Sequence, residues 1–328
     1  MVNGYESLEL STQVLIEEAL KRGIEVEVLD WNDNFIRLIK EDRVEYIKQA
    51  TKTSADTYIA PLIMENKEVT KHILNEKGIN VPKGLSVKSS DEALLTYDTF
   101  KERDLVVKPK STNFGKGVVI LKQPVFIEAL KNAVQFALEY DDTAMIEDFI
   151  EGREYRFLVI DNEVPAILHR VPANITGDGE QTIEQLVFEK NKNPLRGEGY
   201  KTPLEKLRLG HVEKDYLALQ GKDFSYVPKR DETVFLRENS NISTGGDSID
   251  FTDEVSAEYK KIAIEAARAV GAKICGADII IRNIKEAPNS SNYSVIELNF
   301  NPALHIHNFP YKGENRHVEK HVLKLLGF

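Results

Sequence analysis

The chain is poor in the residues that would tie it to an oxidising compartment, a membrane or a nucleic acid. Among 328 residues there is a single cysteine, Cys275, and a single tryptophan, Trp31. One cysteine excludes a disulfide framework and suits a reducing cytoplasm, the expected location. No apolar run reaches membrane-spanning length; the stretch around Ile279 to Ile281 is cut by Asp278 and Arg282. The opening Met-Val-Asn-Gly-Tyr-Glu has neither a basic nor an apolar region and does not read as a secretory signal. Positive charge is scarce as well: 43 Lys and Arg stand against 53 Asp and Glu, a net charge of −10. That balance argues against nucleic acid or an anionic membrane as partner, since both reward cationic surfaces. Also missing are G-x-G-x-x-G after a strand and G-x-x-x-x-G-K-[ST], so neither a Rossmann nor a P-loop nucleotide site is supported. There is no internal repeat and no low-complexity tract.

What remains is a long, mixed chain, 41% hydrophobic and 29% charged, which exceeds what one core serves and implies two or three lobes. A helix is expected from Ser7 to Arg22, stopped at Gly23, then a strand in which Ile24, Val26 and Val28 alternate with Glu25 and Glu27. The stretch from Trp31 to Ala60 shows no clear period. A second helix, Asn66 to Lys77, carries Lys67 and Lys71 on one face. Asp91 reads as the N-cap of a third helix, and Pro124 as the opening of a fourth that runs to Tyr140. Strands are expected at 105–107, 118–121, 145–150, 155–160 and 164–171, then a helix at 255–270 and strands at 274–282 and 293–298. Helices between strands early and hairpins in the middle point to α+β lobes around a cleft.

Three groups of residues could do chemistry. Lys108 ends an apolar strand and is followed by Ser111-Thr112-Asn113-Phe114-Gly115-Lys116-Gly117, whose small residues and cations could cradle a phosphate; alone, such a loop is more often a solvated turn. Across 101–117, five basic residues face only Glu102 and Asp104, a local surplus of positive charge in an acidic chain. Asp278 lies inside an apolar strand, and Glu297 and Asn299, two apart in another, share a sheet face. Two carboxylates and an amide oxygen suit Mg²⁺; the competing reading pairs Asp278 with a basic side chain. Arg170 and Arg237, each following an apolar strand beside polar loop residues, suit a transferring phosphoryl group or a substrate carboxylate. Histidine is less informative. His305 and His307 could share a strand face and His317 and His321 a helix face, but neither pair has a completing ligand, and zinc is not expected.

Taken in order, 66–71 (NKEVTK), 106–110 (VVKPK), the 111–117 loop, 147–154 (EDFIEGRE), Gly276-Ala277-Asp278 and 297–302 (ELNFNP) resemble the ATP-grasp carboxylate–amine ligases. The segments 171–179 (VPANITGDG) and 236–246 (LRENSNISTGG) are similar to the branch that holds cyanophycin synthetases and bacterial bifunctional glutathione synthetases; the opening 4–13 and 61–67 look like the latter. The resemblance implies an α+β ATP-grasp fold of three lobes: 1–65 on the substrate side, 66–155 with the phosphate lid, and 156–328 with the metal site. It implies that Lys71 and Lys108 contact the ATP phosphates, with Ser111, Gly115, Lys116 and Gly117 in the lid. Glu147, Phe149 and Ile150 would hold adenine, and Glu154 the ribose. Asp278, Glu297 and Asn299 would bind two Mg²⁺ ions, with Mn²⁺ able to replace them. Arg237, Arg170 and Asn299 would be the catalytic groups. Some ligases of this superfamily carry an arginine two residues before the first metal aspartate; here that residue is Gly276, and Arg237 is the expected replacement. The implied reaction joins γ-glutamylcysteine to glycine, within a parent chain that also holds a glutamate–cysteine ligase, with a homodimer as an allowed assembly. A cyanophycin synthetase-like ligase and a nucleotide-binding module without catalysis are the alternatives.

Overall fold

The computed structural model describes residues 3–111, 117–199 and 201–328. The amino-terminal part is α1 (Leu10–Lys21) followed by β1 (Glu25–Asp30), β2 (Phe35–Lys40) and β3 (Arg43–Lys48), an antiparallel sheet in the order β1-β2-β3. The region that showed no clear period is therefore two of these strands plus the start of α2 (Ile59–Glu65). Its strands are hard to read because buried Ile36 and Leu38 flank Arg37, while Tyr46 on the outer face is half exposed. α3 (Lys67–Glu76) follows, with the Asn66 side chain accepting from the Val69 amide as its N-cap.

The central lobe holds β4 (Gly84–Val87), α4 (Ser90–Leu95), α5 (Tyr97–Phe100), β5 (Leu105–Pro109), β6 (Val119–Leu121), α6 (Ile127–Leu138) and β7 (Ala144–Asp148), with sheet order β4-β7-β5-β6. Two expected helix starts shift here. Ser89, not Asp91, caps α4, accepting from Glu92 N at 3.1 Å, and α6 begins at Ile127 rather than at Pro124.

β8 (Arg153–Ile160) and β9 (Glu163–Val171) open the largest sheet. The chain then leaves it for β10 (Asn174–Thr176), α7 (Ile183–Lys190), β11 (Arg196–Gly197), β12 (Leu204–Glu205), α8 (His211–Leu219) and β13 (Thr233–Phe235). It returns as β14 (Asp247–Asp250), α9 (Ala257–Ala269), β15 (Ile274–Ile281), β16 (Tyr293–Asn299), α10 (His305–Asn308) and α11 (Glu319–Leu325). The sheet order is β14-β9-β8-β15-β16, all antiparallel.

Alternation along this sheet decides where the site can be. One face, with Tyr155, Phe157, Val159, Ile167, Cys275, Ala277 and Ile279, is mostly apolar, with His169 beside Tyr155, and packs against α9 and α2–α3. The opposite face is divided. Leu158, Ile160, Ala166 and Ile274 lie in a core shared with α1, the amino-terminal sheet and α11, whereas Glu154, Arg156, Arg170, Asp278, Glu297 and Asn299 occupy the polar half. The division of lobes differs from expectation in two ways. A boundary at 155 falls inside β8, whose first residue, Arg153, follows Glu151-Gly152. The segment 173–236 also has a core of its own, built from Ile175, Ile183, Val187, Leu217, Val234 and Leu236 among others.

Candidate active site

The polar half of the large sheet is organised in rows. Arg156, Asp278 and Glu297 are directly paired across β8, β15 and β16, and Gly276 pairs Asn299. The β15–β16 pairing slips between Asp278 and Ile279, leaving Ile296 as an extra residue next to the carboxylates; bulges of this kind re-aim side chains beside functional sites. Asp278 is 2% exposed. Arg156 Nη2 donates to its Oδ2 at 2.7 Å, with a second bond from Nε to Oδ1, and Arg170 Nη2 donates to Oδ2 at 3.0 Å. Burial opposes the charge of Asp278, but Arg156 and Arg170 outweigh it and hold the carboxyl below its ordinary range. The ion-pair reading of Asp278 is thus present in the structure, and with two arginines rather than one.

Metal ligation is compatible with that pairing. Asn299 Nδ2 lies 3.2 Å from Asp278 Oδ2 and 3.2 Å from Glu297 Oε1, so the three side chains meet at one point. Turning the Asn299 amide over presents Oδ1 to that point and completes an all-oxygen set. These donors fit Mg²⁺.

The cation cradle lies on the other side of the cleft. Lys71 from α3 and Lys108 from β5 both reach the Glu147 carboxylate of β7, Lys108 at 2.7 Å and Lys71 in a closer contact. Burial and the neighbouring Lys108 charge lower the Lys71 pKa to about 8, with Glu147 offsetting only part. Glu147 itself is raised by burial and lowered more by the two lysines, so it stays ionised. Its carboxylate therefore lies between Lys71 and Lys108. Phe149, expected beside it, gives its amide to Asp104 O at 2.8 Å and its ring to Lys122, 3.9 Å from the ring centre. Ile150 follows in the connection between β7 and β8. Lys67, on the same α3 face as Lys71 but given no role from sequence, joins the halves: its Nζ is 3.9 Å from Glu297 Oε2.

The remaining sequence candidates divide. Glu154 pairs with Arg170 and accepts from Ser240 Oγ at 2.8 Å, which places it beside the Arg170–Asp278 pair. Ser111 N donates to Asp141 Oδ2 at 2.6 Å, and Gly117 has φ +72° with Pro109 and Tyr140 packed where a Cβ would go. Gly115 and Lys116 lie outside the described residues. Arg237 is bound through Nε to Glu213 of α8, a carboxylate 2% exposed. His305 and His307 are on the short helix α10, not on a strand; His305 Nδ1 is bonded to Ser11 Oγ at 2.8 Å. His321 pairs with Glu163 at 2.6 Å. Sequence reasoning passed over Arg156, although a charge inside an apolar strand is the same signal that singled out Asp278.

A RimK-like ATP-grasp domain model matches residues 64–180 and 235–314, and an ATP-grasp-like domain model matches residues 6–59. The chain belongs to the RimK-like ATP-grasp family. Its ATP-grasp core excludes residues 181–234, the part that builds α7, α8 and most of the fourth core. The glutathione biosynthesis bifunctional proteins of Clostridium perfringens and Desulfotalea psychrophila are 57% and 50% identical to it, over 98% and 99% of this chain. This ATP-grasp chain spans only 42% of the length of either relative. The crystal structure of a bifunctional glutathione synthetase from Pasteurella multocida superposes with a TM-score of 0.79 at 44% identity, covering 99% of this chain and 45% of that one. Among the described residues no helix is long and apolar enough to cross a membrane.

Proposed function

We propose that the chain is an ATP-dependent carboxylate–amine ligase of the glutathione synthetase type, joining γ-glutamylcysteine to glycine with release of ADP and phosphate. The observation that carries the ligase chemistry is the 3.9 Å approach of Lys67 to Glu297, which brings the helix that carries Lys71 against the Asp278, Glu297 and Asn299 cluster. The choice of substrates is supported by relatives named for glutathione biosynthesis that match nearly the whole chain. Because those relatives are more than twice as long, a fused glutamate–cysteine ligase in the parent protein belongs to the same proposal.

The substrate carboxylate attacks the γ-phosphorus of ATP, the bond to ADP breaks, and an acyl phosphate forms. The amine then attacks the acyl carbon, phosphate leaves, and the amine proton passes to solvent. The residues serve this by alignment, charge neutralisation and exclusion of water rather than as nucleophiles. Lys71 and Lys108 would take phosphate oxygens in exchange for Glu147. Asp278, Glu297 and Asn299 would hold Mg²⁺, one ion or two and replaceable by Mn²⁺, which supplies charge neutralisation on the phosphates.

The test is ADP release with γ-glutamylcysteine and glycine, compared with other dipeptide and amino-acid pairs. Glycine-dependent release that Asp278→Asn or Glu297→Gln abolishes is expected. Stimulation by a different pair would overturn the substrate assignment. ATP binding without stimulation by any pair would make the chain a nucleotide-binding module.

A further inference from the structure

Just past the last residue of the Asp278, Glu297 and Asn299 cluster, the chain meets a cavity that the mechanism above does not use. Phe300 follows Asn299 directly and, with Lys52, Asp56, Thr57 and Met64, lines a space of about 300 Å³. Asn301 ties this space to the amino-terminal lobe: its Oδ1 accepts from Thr51 Oγ1 at 2.8 Å and its Nδ2 donates to Gln49 Oε1 at 3.2 Å. The same Gln49 oxygen accepts from Lys52 Nζ at 2.7 Å. Lys52 is thus two hydrogen bonds from a residue that stands two positions after Asn299. The cavity holds one charge of each sign, and neither is neutralised by a partner. Lys52 Nζ gives its hydrogen bond to a neutral amide and lies 5.5 Å from the centre of the Phe300 ring. Asp56 Oδ1 accepts from Lys273 N at 2.5 Å and from Ile274 N at 3.4 Å, which leaves Oδ2 for the cavity. Burial lowers the pKa of Lys52, helped by Lys48, and raises that of Asp56 against the pull of those two amides. Each ion is partly desolvated without a paired counter-charge, the state that an oppositely charged ligand relieves.

We propose that this cavity holds the α-amino-acid head of the γ-glutamyl group, with its α-carboxylate on Lys52 and its ammonium on Asp56. The proposal rests on the ligase reading above. A zwitterion whose methylene chain leads away past an aromatic ring matches a cavity with the opposite two charges and Phe300 in its wall. The other end of γ-glutamylcysteine, the carboxyl that becomes the acyl phosphate, then lies toward Asn299. Extended, the dipeptide spans about 9 Å between its carboxyl groups, and the step from Asn299 to Asn301 covers about 7 Å. Glycine is also a zwitterion, but its amine must reach the acyl carbon unprotonated, and a carboxylate such as Asp56 would hold it as the ammonium. The head group whose amine takes no part in the reaction is the one this cavity suits. No bond forms or breaks there; Lys52 and Asp56 hold the substrate by the end that does not react.

Steady-state ADP release by the full chain reads this through substrate analogues that lack one charge each. γ-Aminobutyrylcysteine has no α-carboxylate, and glutarylcysteine has no α-amine. Lys52→Met should raise the KM for γ-glutamylcysteine by about thirtyfold and Asp56→Asn by about tenfold, the scale of a lost charge-assisted hydrogen bond. The loss should fall on KM rather than kcat, since these contacts are the same before and during transfer. The KM for glycine and the affinity for MgADP should stay within about twofold. Against γ-aminobutyrylcysteine, Lys52→Met should cost nothing further, and against glutarylcysteine the same holds for Asp56→Asn; a merely structural role would penalise every substrate alike. Asp56→Asn keeps an oxygen for Lys273 N and so spares the junction with β15. Three results would overturn the proposal: an unchanged KM for γ-glutamylcysteine in folded Lys52→Met, losses of equal size on the truncated substrates, or a rise in the KM for glycine instead. If Asp56→Asn does not fold, Lys52→Met and its analogue series decide the matter. Normal turnover of γ-glutamylcysteine by both variants would remove this subsite and leave the ligase reading standing. A wild-type chain that turns over other pairs but not γ-glutamylcysteine would remove both.

Discussion

Glu147 in the central lobe and Asp278 in the large sheet are both buried carboxylates held between two cations, but the cations differ in kind. Glu147 is flanked by Lys71 and Lys108, and Asp278 by Arg156 and Arg170. A lysine in such a place can give up its proton, and Lys71, lowered to about 8 by burial and by Lys108, is already near doing so. An arginine cannot. The Lys71 side of the first pair is therefore adjustable by pH, whereas Arg156 keeps its charge beside Asp278.

The largest expected effect tests that difference through stability. Asp278→Ala leaves the buried Arg156 guanidinium without its carboxylate, while Arg170 keeps Glu154, and should cost about 3–5 kcal/mol in urea unfolding. Glu147→Ala should cost about half as much, because Lys71 can neutralise itself by losing a proton. Equal losses would break the comparison. The joint between the two regions comes next. Gly152 has φ +148°, and a Cβ there would meet Ile281 O at 2.8 Å and Ile280 Cγ2 at 2.7 Å, so Gly152→Ala should destabilise the chain by about 1–3 kcal/mol.

Nucleotide affinity sharpens the contrast further. Lys71 is charged below its folded pKa of about 8 and neutral above it. MgADP affinity should therefore fall about tenfold between pH 7 and pH 9, and Lys71→Arg should flatten that profile. Stability runs the other way. The folded pKa lies below the ordinary lysine value of 10.5, so between about 8 and 10.5 the unfolded chain binds more protons and the Lys71 contribution to stability rises with pH. A binding profile that is flat in the native chain would remove the adjustable role given to the lysines.

Much of the floor was legible from sequence because a strand has a period of two. Asp278 within Ile-Cys-Gly-Ala-Asp-Ile-Ile-Ile, and Glu297 with Asn299 in the next strand, could share a face without knowledge of the fold. Arg156, in Tyr-Arg-Phe-Leu-Val-Ile, gave an equally clear sign of a charge in an apolar strand, but only the β8–β15 register shows that it lies beside Asp278. Arg237 went the opposite way. Its local setting suggested a catalytic cation, and only the folding of 181–234 supplies Glu213 to hold it. The misplaced starts at Asp91 and Pro124 are of a smaller order, since a turn offers more than one residue able to begin a helix.

The sequence by itself determined the alternation that makes one sheet face mostly apolar and the identity of the acidic and lysine groups, because these follow from composition and from periods within single elements. Tertiary structure decided which charges meet. Strand register set Arg156 over Gly276, the approach of α3 to β16 brought Lys67 to Glu297, and coverage by α1 and α11 closed half of the floor while leaving the other half as a site. Such pairings join residues up to 230 positions apart, as Lys67 and Glu297 are, and no local pattern encodes them.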